Sequence, residues 1–218
     1  MSTVSAPELD DDVPSGRVVS DQQSFLAGPF APVQQETVLH NLRVTGELPA
    51  ALQGVYARIG PNPIDPHAKR YHWFVGDGMV HGVRLADGKA QWYRSRWIGS
   101  DSVNKKLKRP LVPGPRRGVS DVVNTNVFAH AGRTWAATEA GMMPVQLDGD
   151  LNTLRRALFD STKALPFSAH PHRDPLTGDL HAVCYDARIH HKIQYVRVSP
   201  TGDVDRVVDI PVRQGPMI

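Results

Sequence analysis

The chain has 218 residues, of which 40% are hydrophobic and 22% are charged, and its formal net charge is +3 at pH 7. This composition is ordinary for a globular protein and excludes a fibrous or mainly disordered chain. A single cysteine, Cys184, excludes an internal disulfide framework and a thiolate-rich zinc site, and favours a reducing compartment, so a cytoplasmic location is expected.

The first residues of the chain are acidic and lack the apolar core of a signal peptide. They carry Glu8, Asp10, Asp11, Asp12 and Asp21 against a single arginine. We therefore predict a disordered acidic leader over residues 1–35, followed by one folded unit over residues 36–218. No apolar stretch approaches the roughly 20 residues that a membrane-spanning helix needs, so no span is expected.

Short runs of alternating residues, separated by turn signals, dominate the rest of the chain and predict an all-β fold. Residues 79–86 and 89–98 flank Asp87-Gly88, which is a strong hairpin signal. The other predicted strands are 122–130, 133–139, 180–186, 192–198 and 204–210. Evenly spaced strands suit a sandwich, a barrel or a propeller, and periodicity alone does not choose among them.

A basic, proline-rich segment follows the first hairpin, over residues 102–117. It contains no acidic residue. Its six cations are Lys105, Lys106, Lys108, Arg109, Arg116 and Arg117. Clustered cations bind the phosphates of nucleic acids or an anionic membrane surface. The segment offers no aromatic side chains on which bases could stack, so no nucleic acid partner is expected. Peripheral membrane contact through these six side chains and an exposed loop without a partner remain as alternatives.

Five short motifs in a fixed order narrow the choice of fold. They are a block that starts at Asn41 and ends with Gly60-Pro61-Asn62-Pro63, then His72-Trp73-Phe74 with Gly76-Asp77-Gly78-Met79, Asn124-Thr125-Asn126, Glu139-Ala140-Gly141, and Ala169-His170-Pro171 with Thr177-Gly178-Asp179. Each motif is weak alone, but the ordered set resembles the carotenoid cleavage oxygenase family. The resemblance implies a seven-bladed β-propeller, of which this chain is the N-terminal part.

The resemblance also implies a metal centre on the propeller axis. Family members hold Fe(II) with four histidines and place carboxylates behind three of them, and the position that matches the first ligand is His170. The family's glutamate upstream of this histidine matches Glu139. Neutral imidazole suits Fe(II), and an acceptor on the other ring nitrogen fixes the tautomer. The other histidines, including His172, are expected to pack against neighbours or to face solvent.

The reaction implied by the family is the addition of O₂ across one double bond of an apolar polyene, which gives two carbonyl products. We therefore expect a non-haem Fe(II) dioxygenase that acts on a carotenoid or apocarotenoid. A stilbene is the alternative substrate, but the lysine that precedes the glutamate in the stilbene branch is Thr138 here. The basic segment falls where family members often have a membrane-contacting extension.

The sequence stops at Ile218, where the family continues into the block that holds the second iron ligand. Three ligands and two of the three carboxylates are then missing, and one imidazole cannot hold Fe(II) usefully. A partial propeller also leaves strand edges open, which promotes aggregation. We therefore expect an inactive fragment of the full enzyme, with a non-catalytic β-propeller fragment that acts as a binding module as the alternative.

Overall fold

The computed structural model of the protein describes residues 25–66, 71–161, 163 and 165–214. Their regular secondary structure is almost entirely β-strand, with one short α-helix, so the predicted all-β class is confirmed. The strands are β1 (Thr37–His40), β2 (Gly54–Pro61), β3 (Gly78–Ala86), β4 (Lys89–Trp97), β5 (Asn126–His130), β6 (Arg133–Ala137), β7 (Val145–Leu147), β8 (Thr153–Arg156), β9 (His172–Arg173), β10 (Leu180–Cys184), β11 (Lys192–Val198) and β12 (Val204–Pro211). The helix is α1 (Asp101–Lys106), and 3-10 turns occur at Gly28–Phe30 and Trp73–Val75.

The strands form three antiparallel sheets of four strands each, in the orders β1-β4-β3-β2, β5-β6-β7-β8 and β12-β11-β10-β9. The second and third sheets are simple meanders in chain order, whereas β1 completes the outer edge of the first sheet by pairing with β4. Four-stranded antiparallel sheets of this kind are the blades of a β-propeller. The described residues therefore form three blades, which confirms the prediction of a partial propeller.

The hydrophobic core lies between neighbouring blades. Trp135 of β6 belongs to the buried cluster between the second and third blades, whereas the next residue, Ala136, belongs to the cluster between the first and second. Successive side chains of a strand point to opposite faces, so one strand serves both clusters. The largest fully buried members are Trp135, Phe159, Phe167, Ile98 and Leu158. Packing of blade against blade thus holds the three sheets in their relative positions.

The hairpins predicted from turn residues agree with the structure. Asp87 and Gly88 join β3 to β4 and have φ angles of 53° and 70°, as a tight two-residue turn requires. Ala131 and Gly132 join β5 to β6 with φ angles of 51° and 69°. The strands β10, β11 and β12 also coincide with predicted runs to within two residues at each end.

The chain before β1 packs against the first blade. The side chain of Asn62 bonds both backbone groups of Val33: Oδ1 accepts from the N–H at 2.6 Å, and Nδ2 donates to the carbonyl at 3.0 Å. The 3-10 turn at Gly28–Phe30 precedes this contact. The folded unit therefore starts before residue 36, and the predicted leader over residues 1–35 is too long. Its first part, residues 1–24, lies outside the described residues.

The basic segment begins in helix α1. Its remaining residues, 107–117, form an irregular strap that contacts the second blade. Ser100 caps the helix, because its Oγ accepts a hydrogen bond from the N–H of Val103 at 3.2 Å. Beyond the helix, the N–H of Arg156 in β8 donates to the carbonyl of Pro113 at 2.8 Å. In the part of the chain that the structure describes, no helix is long and apolar enough to cross a membrane.

Candidate metal centre

His170 lies in the loop that leads into β9, at the start of the third blade. Hydrogen bonds fix the backbone of His170 and of the residue before it. Ser168 Oγ accepts from the N–H of His170 at 3.1 Å, and Asn126 Nδ2 of β5 donates to the carbonyl of Ala169 at 2.7 Å. The imidazole itself is 64% exposed. An exposed ring on a fixed backbone is available to bind a further group.

Glu139 follows β6 closely and brings its carboxylate next to His170. Its Oε1 accepts from the N–H of Ala169 at 3.1 Å and lies 3.6 Å from Nε2 of His170. The second distance is too long for a hydrogen bond, so the two side chains are neighbours that are not directly bonded. Oε2 is buried and has no hydrogen-bond partner among the described residues. Since an unpartnered buried oxygen is costly, it marks a place for a further donor.

Burial raises the pKa of Glu139, while the Ala169 N–H and the neighbouring His170 oppose this effect. The carboxylate also acts on its own neighbours. Burial, reinforced by Glu139, raises the pKa of the Cys184 thiol to about 12 and raises the pKa of the Tyr185 phenol. These thiol and phenol groups therefore stay protonated at neutral pH. A bound cation would change the balance at Glu139, because it favours the ionised carboxylate.

The residue before Glu139 carries a hydroxyl group that already has partners. Thr138 is buried, and its Oγ1 lies 3.0 Å from Thr125 Oγ1 and 3.3 Å from Asn124 Oδ1. Asn124 Nδ2 donates in turn to the carbonyl of Phe74 at 3.0 Å. Two of the sequence motifs and the residue before a third therefore meet at one end of the first two blades. This linking role of Asn124 was not predicted from the sequence.

The residues present fit part of an iron centre. An imidazole and an adjacent carboxylate with one unpaired oxygen are donor types that suit Fe(II) and its outer shell. Within the described residues, no three His, Cys, Asp or Glu side chains come close enough together to hold a metal ion. His170 and Glu139 could therefore serve such a centre only together with ligands from elsewhere.

Most of the six cations predicted to contact a membrane are paired within the protein. Four of them bind carboxylates, as Lys106–Asp65 at 2.7 Å, Arg109–Glu36 at 2.8 Å, Arg116–Asp101 and Arg117–Asp186 at 2.6 Å. Among the described residues, Lys105 and Lys108 form no ion pair. Membrane contact through this segment therefore depends chiefly on these two lysines, and it stays a prediction.

Comparisons with known proteins agree with this geometry. The model of the RPE65 family, described as retinal pigment epithelial membrane protein, matches residues 30–218. A carotenoid cleavage oxygenase of Mycobacterium tuberculosis is 44% identical over 210 residues, which are 94% of this chain and 42% of the relative. A carotenoid 9,10(9',10')-cleavage dioxygenase of Arabidopsis thaliana is 33% identical over 192 residues, which are 74% of this chain and 36% of the relative. The chain therefore belongs to the carotenoid cleavage oxygenase family, and it spans less than half the length of these relatives.

Solved structures share the arrangement of the blades. The lignostilbene dioxygenase of Pseudomonas brassicacearum superposes with a TM-score of 0.74 at 27% identity, over 88% of this chain and 43% of that protein. A cobalt-substituted apocarotenoid oxygenase of Synechocystis superposes with a TM-score of 0.66 at 20% identity, over 90% of this chain and 46% of that protein. These similarities support the propeller fold, and the cobalt is a property of the Synechocystis protein.

Proposed function

We propose that this chain is part of a non-haem Fe(II) dioxygenase that cleaves a carbon–carbon double bond of a carotenoid or apocarotenoid to give two carbonyl products. The observation that carries the proposal is the pairing of His170 with the half-buried Glu139. It occurs in a chain that is 44% identical to a mycobacterial carotenoid cleavage oxygenase. At this site the described residues supply one imidazole, so the proposed centre needs ligands from residues outside them.

In this proposal the iron, when bound, supplies the redox chemistry with O₂, and the protein positions the reactants and excludes water. His170 holds the metal through a ring nitrogen. The unpartnered Oε2 of Glu139 accepts a hydrogen bond from a further ligand and so fixes the tautomer of that ligand. Phe74 and Val75 are 74% and 63% exposed, and Phe74 is bonded through its carbonyl to Asn124. They offer an apolar surface for a polyene at the end of the blades where Asn124 contacts Thr138, the residue before Glu139.

A stilbene-cleaving dioxygenase is the second candidate, because the lignostilbene dioxygenase of Pseudomonas brassicacearum has the same fold with a TM-score of 0.74. A phenolic substrate needs a polar partner, which the stilbene branch supplies as a lysine. Thr138 stands at that position, and its buried hydroxyl is already bonded to Asn124 and Thr125. The site therefore favours a carotenoid or apocarotenoid over a phenolic stilbene.

We also propose that the protein makes peripheral contact with an anionic membrane, from which an apolar polyene could be taken up. Lys105 and Lys108 would provide the attraction, because neither is paired with a carboxylate of another described residue. Leu111 follows them in the strap and is 49% exposed. It could enter the headgroup region while the two lysines stay at the surface.

The test starts with the mass of the intact protein in its source cells, followed by its iron content and its products from an apocarotenal and from lignostilbene under ¹⁸O₂. We expect a mass well above 24.0 kDa, stoichiometric iron and two labelled aldehydes from the apocarotenal. Cleavage of lignostilbene alone would favour the second candidate. A native mass of 24.0 kDa without iron would instead indicate a non-catalytic binding module.

A further inference from the structure

Arg117 of the basic segment is turned into the protein. Its side chain is 17% exposed, and Nη1 donates to Oδ2 of Asp186 at 2.6 Å, whose side chain is 2% exposed. Arg188 donates to the same carboxylate through Nε at 2.9 Å and Nη2 at 2.7 Å. Hydrogen bonds from Arg188 first, and from Arg117, hold the pKa of Asp186 well below its usual range. A charge buried to this extent depends on its partners, so removal of either arginine leaves it undercompensated.

The backbone at Asp186 lies directly against the turn that follows Glu139. The N–H of Ala187 donates to the carbonyl of Ala140 at 3.3 Å. Ala140 and Gly141 have φ angles of 65° and 93°, so the turn is left-handed at two successive residues. A Cβ atom at Gly141 would lie 3.1 Å from Cα of Asp186. The two backbones are therefore in contact, and the position of Asp186 limits the path of the turn.

The residue after Arg117 also contacts this turn. Gly118 has a φ of 89°, and a Cβ atom there would lie 2.9 Å from Sδ and 3.1 Å from the backbone nitrogen of Met142. The turn after Glu139 is thus in contact with both Gly118 and Asp186. The ion pair of Arg117 with Asp186 joins the two segments that contact the turn, and it links residues that are 69 positions apart in the sequence.

We propose that Arg117 is a positioning residue for the metal centre: its ion pair with Asp186 fixes the turn after Glu139 and so holds the Glu139 carboxylate against Ala169 and His170. The role in a metal centre rests on the proposed function. The positioning itself depends only on contacts within this chain, so it can be tested without a metal. A loosened turn would let Glu139 leave the N–H of Ala169, to which its Oε1 is bonded at 3.1 Å.

The test is amide hydrogen exchange in the intact, metal-free protein, compared between the wild type and Arg117→Gln. We expect the amides of Ala169 and Ala187 to exchange about tenfold to a hundredfold faster in the variant, because their acceptors are no longer held in place. The amide of Val196 in β11 should keep its rate. Arg116→Gln is the matched control, because Arg116 is 52% exposed and pairs with Asp101 instead of Asp186.

Arg117→Lys keeps the charge without the forked geometry of the guanidinium, and it should show intermediate exchange at both amides. This variant decides the question if Arg117→Gln does not fold. Unchanged exchange at Ala169 and Ala187, or equal acceleration at Val196, would overturn the proposed positioning role.

Binding of Co(II) to the intact protein separates this inference from the proposed function. We expect about tenfold weaker Co(II) binding in Arg117→Gln, as for other residues that orient metal ligands. Unchanged Co(II) affinity together with faster exchange would overturn the link to the metal centre. A wild-type protein that binds no Co(II) would refute the iron centre, while the exchange rates would still decide whether Arg117 positions Glu139.

Discussion

Lowering the pH should weaken the contact that His130 makes between the second and third blades. This residue is 2% exposed, its Nε2 lies 2.7 Å from the carbonyl oxygen of Ser199, and its Nδ1 lies 3.2 Å from Nη1 of Arg173. A guanidinium can only donate, so Nδ1 accepts and Nε2 carries the single proton, which it donates to Ser199. The geometry therefore requires a neutral imidazole, because a second proton on Nδ1 would face Arg173.

Burial first, and the charge of Arg173 in addition, lower the pKa of His130 from its ordinary value of 6.5. A group whose pKa is lower in the folded state contributes stability that is complete above pH 6.5 and is lost as the pH falls towards the folded pKa. Between pH 6.5 and the folded-state pKa, the contribution of His130 to the free energy of unfolding falls by at most about 1.4 kcal/mol per pH unit. Above pH 6.5, replacing His130 with Gln should cost about 1–3 kcal/mol, because the flexible amide does not reproduce the geometry of both ring contacts, with Ser199 and with Arg173.

The assay is urea unfolding of the intact protein, followed by tryptophan fluorescence at several pH values between 5 and 8, for the wild type, His130→Gln and His172→Gln. The free energy of unfolding should decline less steeply with falling pH in His130→Gln than in the wild type. His172 is exposed on β9, so His172→Gln should keep the wild-type slope. Equal slopes for the wild type and His130→Gln would refute the assigned tautomer and its role in stability.

Three further predictions concern the fold, the metal and the membrane. Gly78→Ala should abolish soluble expression, because a Cβ atom there would lie 1.8 Å from a backbone carbonyl oxygen, whereas Gly60→Ala has nothing within 4 Å and should be tolerated. His170→Ala should remove iron from the intact protein, as measured by elemental analysis, and should leave the melting temperature of the metal-free protein within a few degrees, since the imidazole is 64% exposed. Replacing Lys105 and Lys108 together by Gln should weaken sedimentation with anionic liposomes about tenfold to thirtyfold, at about 1 kcal/mol per lysine, and should not change the weak binding to neutral liposomes. Unaltered sedimentation with the anionic liposomes would contradict membrane contact through this segment.

The sequence alone identified the strands that alternate clearly or that lie next to a strong turn signal. Asp87-Gly88 selects a tight hairpin whatever surrounds it, so β3 and β4 were predicted to within a residue. The strands β7, β8 and β9 have only two to four residues, which is too short for alternation to show. β2 was missed because it ends in Gly60-Pro61, which indicates a loop, although proline is tolerated there since β2 is an edge strand.

For the site, the ordered motifs of the sequence suffice to identify the family and, through it, His170 and Glu139. Only the tertiary structure shows that these side chains lie 3.6 Å apart and that one oxygen of Glu139 is buried without a partner among the described residues. Residues 30 positions apart meet only when two blades pack, and that packing is not a local property of the sequence.

The six cations of the basic segment show most clearly the difference between what the sequence indicates and what the structure decides. Its six cations look alike in the sequence, and their composition indicates only a positive surface. The fold separates them, because the partners of Arg109 and Arg117 are Glu36 and Asp186, which are 73 and 69 positions away. An ion pair over such a separation forms only after the blades have assembled, so its existence and its burial were decided by the tertiary structure alone.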